Sequence, residues 1–159
     1  MPAVWRIGST KGLTLATLAF GSTLESGRWH RTAPDGQPVV YAGASRALCQ
    51  LEKRVHCNGV QPRNQALLRL DLPDAAVLLD IRTLENLPLD WPDDEPWTQD
   101  AGVRWRASGA SLGLWLPSVV EPGESNLMLN PDHPQFASIV VTVERKPFQF
   151  DDRMFNPSP

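Results

Sequence analysis

Apolar and polar residues change their period several times along the chain. Val39-Val40-Tyr41-Ala42 is a short, nearly unbroken apolar run, the pattern of a strand. Ser45 follows as a helix N-cap, and Leu48, Leu51 and Val55 recur at helical spacing. Gly59 closes that helix as a C′ glycine. From Leu67 to Leu72 apolar positions alternate with Arg69 and Asp71, which predicts a half-buried strand. Ala75 to Ile81 is a second strand. Thr98 to Ala107 reads as a helix with Thr98 as its cap and Gly109 as its stop. Leu112 to Leu116 and Ile139 to Val143 are β-rich runs. Strands outnumber helices and do not alternate with them regularly. The expected class is α+β with a mixed or antiparallel sheet, not a doubly wound one. The acidic, proline-rich stretch LPLDWPDDEP over 87–96 is expected to be a surface loop. Its Trp91 and nearby Trp97 suggest exposed aromatics at an interface.

The length of 159 residues suits one domain over 1–159, with no internal repeat. No apolar run approaches the ~20 residues of a membrane helix, and no signal-type stretch opens the chain, so a cytoplasmic, membrane-free protein is expected. The net charge of −3 argues against direct nucleic-acid binding. That charge is unevenly spread. Residues 1–69 hold 9 Lys/Arg against 3 Asp/Glu, and residues 70–159 hold 6 against 15. The basic half could meet an anionic ligand, or simply be a solvated surface. No phosphate-cradling GxGxxG or GxxxxGK[ST] loop occurs. Cys49 and Cys57 lie eight residues apart in one predicted helix, ~12 Å along its axis. A disulfide needs less than ~7 Å, so both are expected to be reduced. Neither joins His56 or His133 at a recognisable metal-ligand spacing, and no metal is expected.

Four places look chemically loaded. Arg28, in SGRWH, precedes a polar loop where a ligand could be held; packing on Trp29 or pairing with Glu25 is the plainer alternative. Tyr41, the only tyrosine, ends a strand and could stack on a ligand or serve as a core-edge aromatic. Glu52 borders the apolar stripe of its helix, where a carboxylate is costly unless it has a partner; it could instead turn outward to His56. Ser118, Asn126, Asn130 and His133 fall in a proline-bounded segment, as polar ligand contacts or as turn residues. A Ser118–His133–Asp132 hydrolase lacks the GxSxG elbow.

Together these segments resemble the RES-domain family. The likeness runs from Trp5-Arg6 through GRWH at 27–30, VVYAGASRALCQLE at 39–52 and LPSVVEPGESNLMLNPDHPQF at 116–136 to PFQFDDRMF near the end. The family's arginine, glutamate and serine correspond to Arg28, Glu52 and Ser118. His30 departs from the asparagine that many members carry. The resemblance implies a fold similar to ADP-ribosyltransferase toxins, with a split mixed sheet and flanking helices. It implies a toxin of a type II toxin–antitoxin system that cleaves NAD+ at the nicotinamide–ribose bond. ADP-ribose would pass to a protein, with phosphoribosyl pyrophosphate synthetase one possible target, or to phosphate or water. A non-catalytic antitoxin-binding module is the remaining alternative. NAD+ is then a co-substrate, and the partner is a helix-turn-helix antitoxin that covers the active site. Glu52, Arg28 and Tyr41 would be catalytic, and Arg6, Arg28, Tyr41, Ser118 and Asn130 would bind NAD+. Arg28 and Arg31 would form a basic rim for the antitoxin.

Overall fold

The computed structural model describes residues 2–155. Ten elements carry the fold: β1 (Ala3–Ser9), β2 (Val40–Gly43), α1 (Arg46–His56), β3 (Gln65–Asp71), β4 (Leu78–Asp80), α2 (Ile81–Leu84), α3 (Glu95–Ser108), β5 (Gly113–Pro117), β6 (Ser125–Leu129) and β7 (Val140–Phe148). The strands form one mixed sheet in the order β4-β5-β6-β2-β1-β3-β7. Only β4 and β5 run parallel. This is the expected α+β class.

The sheet is almost two sheets. β1 pairs with β3 along its whole length, from Ala3↔Asp71 to Ser9↔Gln65. β2 pairs with β6 from Val40↔Leu129 to Gly43↔Asn126. Between β1 and β2 a single register pair remains, Trp5↔Gly43. Beyond it the ladder is replaced by a side chain, with Arg6 Nη1 donating to the Tyr41 carbonyl at 2.9 Å. A main-chain carbonyl opened to the interior needs a partner, and the guanidinium supplies it.

Alternation along the strands sends residues to two faces. Val4, Val40, Ala42, Leu68, Leu70, Leu127 and Leu129 build the main core on one face. The other face is covered in two patches. Trp29, Val39, Leu114, Leu116 and Met128 pack with Ala101 and Trp105 of α3. Ile7 and Leu67 pack with Cys49 of α1, Phe148 and Phe150.

Local chemistry explains both long helices. Ser45 Oγ accepts from the Leu48 amide at 3.0 Å and caps α1. Asn58 and Gly59 then turn left-handed (φ 51° and 82°) and end it. The stripe expected to be buried is not the one observed. Leu48 and Cys49 are buried, whereas Leu51 and Val55 are 41% and 57% exposed. α3 starts earlier than the pattern suggests. Its cap is Asp94, whose Oδ1 accepts from the Trp97 amide at 3.1 Å, and Pro96 sits in its first turn, where no amide hydrogen is needed. Thr98 is therefore no cap. It is buried, and its hydroxyl donates to the Arg28 carbonyl at 2.6 Å. The 87–96 stretch lies at the surface as expected, with Leu89 fully exposed, but it is not all loop: a 3-10 turn spans Trp91–Asp93 and α3 begins at Glu95. Trp91 and Trp97 are half-buried against the α3 patch, with Trp91 5.7 Å from Trp29, so they are not exposed interface aromatics. Both cysteines are free, as expected.

α3 meets the Trp29 backbone so closely at Gly102 that a Cβ there would overlap the Trp29 carbonyl. Gly102→Ala should therefore destabilise the fold by about 1–3 kcal/mol, although alanine is the better helix former. For a domain of this size that lowers Tm by about 2–12 °C. A melting curve followed by circular dichroism checks this, and a Tm at or above wild type would show that α3 stands off the 27–29 segment.

Candidate active site

A cleft of about 380 Å³ opens where the sheet splits. This lies within the ~300–1,000 Å³ common for small-molecule sites. Its walls are Trp5 to Ile7 of β1, Tyr41 to Gly43 of β2, the 27–29 segment, the cleft-facing side of α1, and the facing ends of β5 and β6 at Leu116, Pro117 and Asn126. Cys49, Glu52, Lys53 and His56 of α1 line it at i, i+3, i+4 and i+7, one helical face. That explains the exposed Leu51 and Val55: α1 turns its mixed polar face to the cleft, and part of its apolar stripe becomes the rim.

Among the described residues Glu52 is the only carboxylate in the lining. Its Oε1 accepts from Ser118 Oγ at 2.7 Å and from Asn126 Nδ2 at 2.8 Å. Among the described residues Oε2 makes no hydrogen bond, and it lies 3.8 Å from Nε2 of the exposed His56. One oxygen is thus fixed by donors from two other parts of the chain, and the second faces open space. Ser118 is itself fixed, because its Oγ accepts the Glu121 amide at 3.0 Å.

Three cations share the lining: Arg6, Arg28 and Lys53. All come from the basic half of the sequence. Among the described residues none of them forms an ion pair. Arg28 donates Nη1 to the Pro92 carbonyl at 2.7 Å and lies 6.0 Å over the Trp91 ring, so neither Glu25 nor Trp29 is its partner. α3 fixes the backbone on either side of it, through Thr98 to the Arg28 carbonyl and Gln99 Nε2 to the Gly27 carbonyl at 2.9 Å. Burial lowers the pKa of Arg6 and of Lys53, and the Arg6 charge lowers Lys53 further. Tyr41 lines the cleft between them, and burial raises its phenol above the ordinary value.

Four of the five expected ligand-binding residues therefore meet at this cleft: Arg6, Arg28 and Tyr41 in its wall and Ser118 on the Glu52 carboxylate. Asn130 does not. It sits at the far end of β6 from Asn126, ~13 Å along the strand. Its Oδ1 accepts the Asp132 amide at 2.9 Å and its amide donates to the Leu112 carbonyl, so it is a turn residue. Asn126, read as part of the same loop, is a strand residue that holds Glu52. Lys53 was not singled out by the sequence pattern; its i, i+4 spacing from Cys49 was the available signal. His133 Nδ1 accepts the Gln135 amide near Asn130, remote from Ser118, so no Ser–His–Asp array forms. Arg31 is engaged by Asp100 at 2.6 Å rather than presented as a free rim. Among the described residues no three His, Cys, Asp or Glu side chains group as a metal site, and no helix is long and apolar enough to cross a membrane.

Fold and site define a single α+β unit whose split sheet opens a cationic cleft around one oriented carboxylate. A family model, the RES domain, matches residues 3–151, and the chain belongs to the RES-domain toxin family. It is 34% identical over 154 residues to "Toxin Res" of Photorhabdus laumondii, covering 95% of this chain and 96% of that protein. It is 37% identical over 139 residues to a "Prs ADP-ribosylating toxin" of a Sphingobium species, covering 84% and 83%. Its fold is similar to a chain of the M. tuberculosis MbcT–MbcA toxin–antitoxin complex, with a TM-score of 0.66, 17% identity, and 96% and 86% of the two chains covered.

Cys49 gives a direct test of the packing at the cleft wall. Its Sγ donates to the Trp5 carbonyl at 2.9 Å, and burial pushes its pKa up to about 11. Between about pH 9 and 11 the folded state keeps a proton that the unfolded thiol loses, so stability should fall as pH rises through that window. The raised Tyr41 phenol adds to the upper part of the same slope. Urea midpoints measured against pH should show the decline, and Cys49→Ala should flatten it. At pH 8 the folded thiol should also resist alkylation, since only the thiolate reacts.

Proposed function

We propose that the chain is the toxin of a toxin–antitoxin pair, an enzyme that cleaves NAD+ at the nicotinamide–ribose bond and transfers ADP-ribose to a protein. The observation that carries this is the Glu52 carboxylate, held by one oxygen and open at the other, among three cations. NAD+ offers the complementary charges. Its pyrophosphate is a dianion, and Arg28, Arg6 and Lys53 are the groups to receive it, with the arginines able to do so as forks.

The reaction breaks the bond between the ribose C1′ and the nicotinamide nitrogen. The electron pair leaves with nicotinamide, which becomes neutral, and positive charge develops on the ribose. A fixed carboxylate at that carbon stabilises charge that exists mainly in the transition state. Ser118 and Asn126 keep Glu52 from reorienting as the charge builds. The acceptor nucleophile then bonds to C1′ and gives up its proton. Tyr41 presents an aromatic wall for the nicotinamide ring.

A protein acceptor is favoured by the 37% identity to the relative named a Prs ADP-ribosylating toxin, and phosphoribosyl pyrophosphate synthetase is the first target to try. The family and the fold likeness to a chain of a toxin–antitoxin complex support an antitoxin partner, for which a helix-turn-helix protein is the proposed class. It would act by covering the cleft.

A mass balance on labelled NAD+ tests the reading. With purified protein and a cell lysate, label should move to protein while nicotinamide is released. Glu52→Gln should reduce turnover by about 10³-fold, and Arg28→Ala should weaken it strongly, with the fold intact in both. ADP-ribose-1-phosphate formed with phosphate, or free ADP-ribose in buffer, would instead make the protein a phosphorylase or a hydrolase. Intact NAD+ under every condition with folded, antitoxin-free protein would leave a binding module.

A further inference from the structure

His30 lies behind the cleft wall and is 4% exposed. Both of its ring nitrogens are engaged. Nε2 is 2.9 Å from the Ser22 carbonyl oxygen. A carbonyl can only accept, so Nε2 carries the hydrogen, and in the neutral ring Nδ1 is a bare acceptor. Nδ1 receives the Gly27 amide at 3.2 Å and lies 2.7 Å from the Tyr41 hydroxyl, which must therefore donate to it. The Tyr41 proton is thus directed into the protein, away from the cleft that the ring lines.

The surroundings are built for this contact. A Cβ on Gly27 would come to 3.0 Å from the His30 ring and 3.1 Å from the Tyr41 oxygen, so glycine lets the segment approach without pushing either ring back. Ser22, whose carbonyl fixes the tautomer, is anchored in turn: its Oγ accepts the Val39 amide at 3.0 Å and donates to the Ala19 carbonyl at 2.7 Å. The two rings stand 5.4 Å apart and tilted by 57°, so the pair is held by the hydrogen bond rather than by stacking.

We infer that His30 is a positioning residue: as the Nε2–H tautomer it takes the Tyr41 hydroxyl proton and locks the phenol, so that Tyr41 meets the substrate with its ring face and not as a hydrogen-bond donor. For the substrate this rests on the NAD+ reading above. A ring face suits the planar, cationic nicotinamide of NAD+ through cation–π attraction, which fades as the ring leaves neutral.

The test uses the purified full-length chain and measures nicotinamide release from NAD+ for His30→Leu, Tyr41→Phe, the double variant and His30→Asn. Each of the first two should raise KM roughly tenfold with kcat nearly unchanged. The double variant should be no worse than the weaker single, because both remove one interaction. His30→Asn should recover most of the lost affinity, since its amide oxygen can accept at the place of Nδ1. Should His30→Leu not fold, Tyr41→Phe and His30→Asn carry the comparison. Losses that multiply in the double variant, or a Tyr41→Phe that lowers kcat at unchanged KM, would overturn the inference. The ring-nitrogen NMR spectrum of ¹⁵N-labelled His30 decides it independently. An Nε2–H pattern whose Nδ1 shift moves in Tyr41→Phe supports it, and an Nδ1–H pattern overturns it. If the wild type consumes no NAD+, the NAD+ reading falls, and that spectrum alone judges His30.

Discussion

The single register pair between β1 and β2 is the constraint on which the rest of the molecule depends. A continuous ladder there would close the face of the sheet. Because only Trp5↔Gly43 remains, the strands diverge, and the gap becomes the cleft. Divergence leaves main-chain polar groups without strand partners, and Arg6 answers for Tyr41. The halves are also tied outside the ladder. The Trp5 indole donates to Glu144 at 2.6 Å, and Arg46 of α1 reaches the same carboxylate at 2.7 Å. The Arg46 guanidinium lies 4.6 Å over the Trp5 ring. α1, which follows β2 in the chain, is thereby tied to β1 and β7 on the other side of the split.

The orientation of the carboxylate follows from the same arrangement. Glu52 belongs to α1, Ser118 to the turn after β5, and Asn126 to β6. No local segment contains all three. Their distances are right only when α1 lies across the split with its 49-52-53-56 face inward. Orientation of this kind costs nothing at the moment of reaction, because folding has already fixed it.

Much of this was legible in the residues, and what was not has physical causes. Ser45 and the spacing after it located α1, but the same periodicity assigned the wrong face inward. A hydrophobic stripe marks a core only where the helix packs on one, and α1 lies over an opening. The proline at 96 concealed the start of α3, although a proline in the first turn is compatible with a helix. β6 was hidden because Ser125 and Asn126 read as loop, while pairing on both sides with β2 and β5 makes them strand. β7 continues through Glu144, Arg145 and Lys146 because it is an edge strand, where charges face water and discourage pairing with other chains. Arg28, Glu52, Ser118 and Tyr41 could be selected from the sequence by their motifs. Asn130 and Asn126 could not be told apart without register, since four residues along a strand separate a cleft residue from a turn.

The cleft concentrates positive charge. Arg6 lies close enough to Lys53 to disfavour its charge, and burial disfavours the charge of both. Neither is relieved by a carboxylate, although the chain carries more acidic residues than basic ones. Acidic side chains pair with Arg31, Arg46 and Arg104 at the surface instead. A fold selected for stability alone would pair one of them with Arg6 or Lys53. Leaving those cations without such a partner stores an electrostatic cost in the free protein, which the dianion of the proposed substrate would remove. The same free energy would then appear as affinity for that ligand and as stability of the liganded protein.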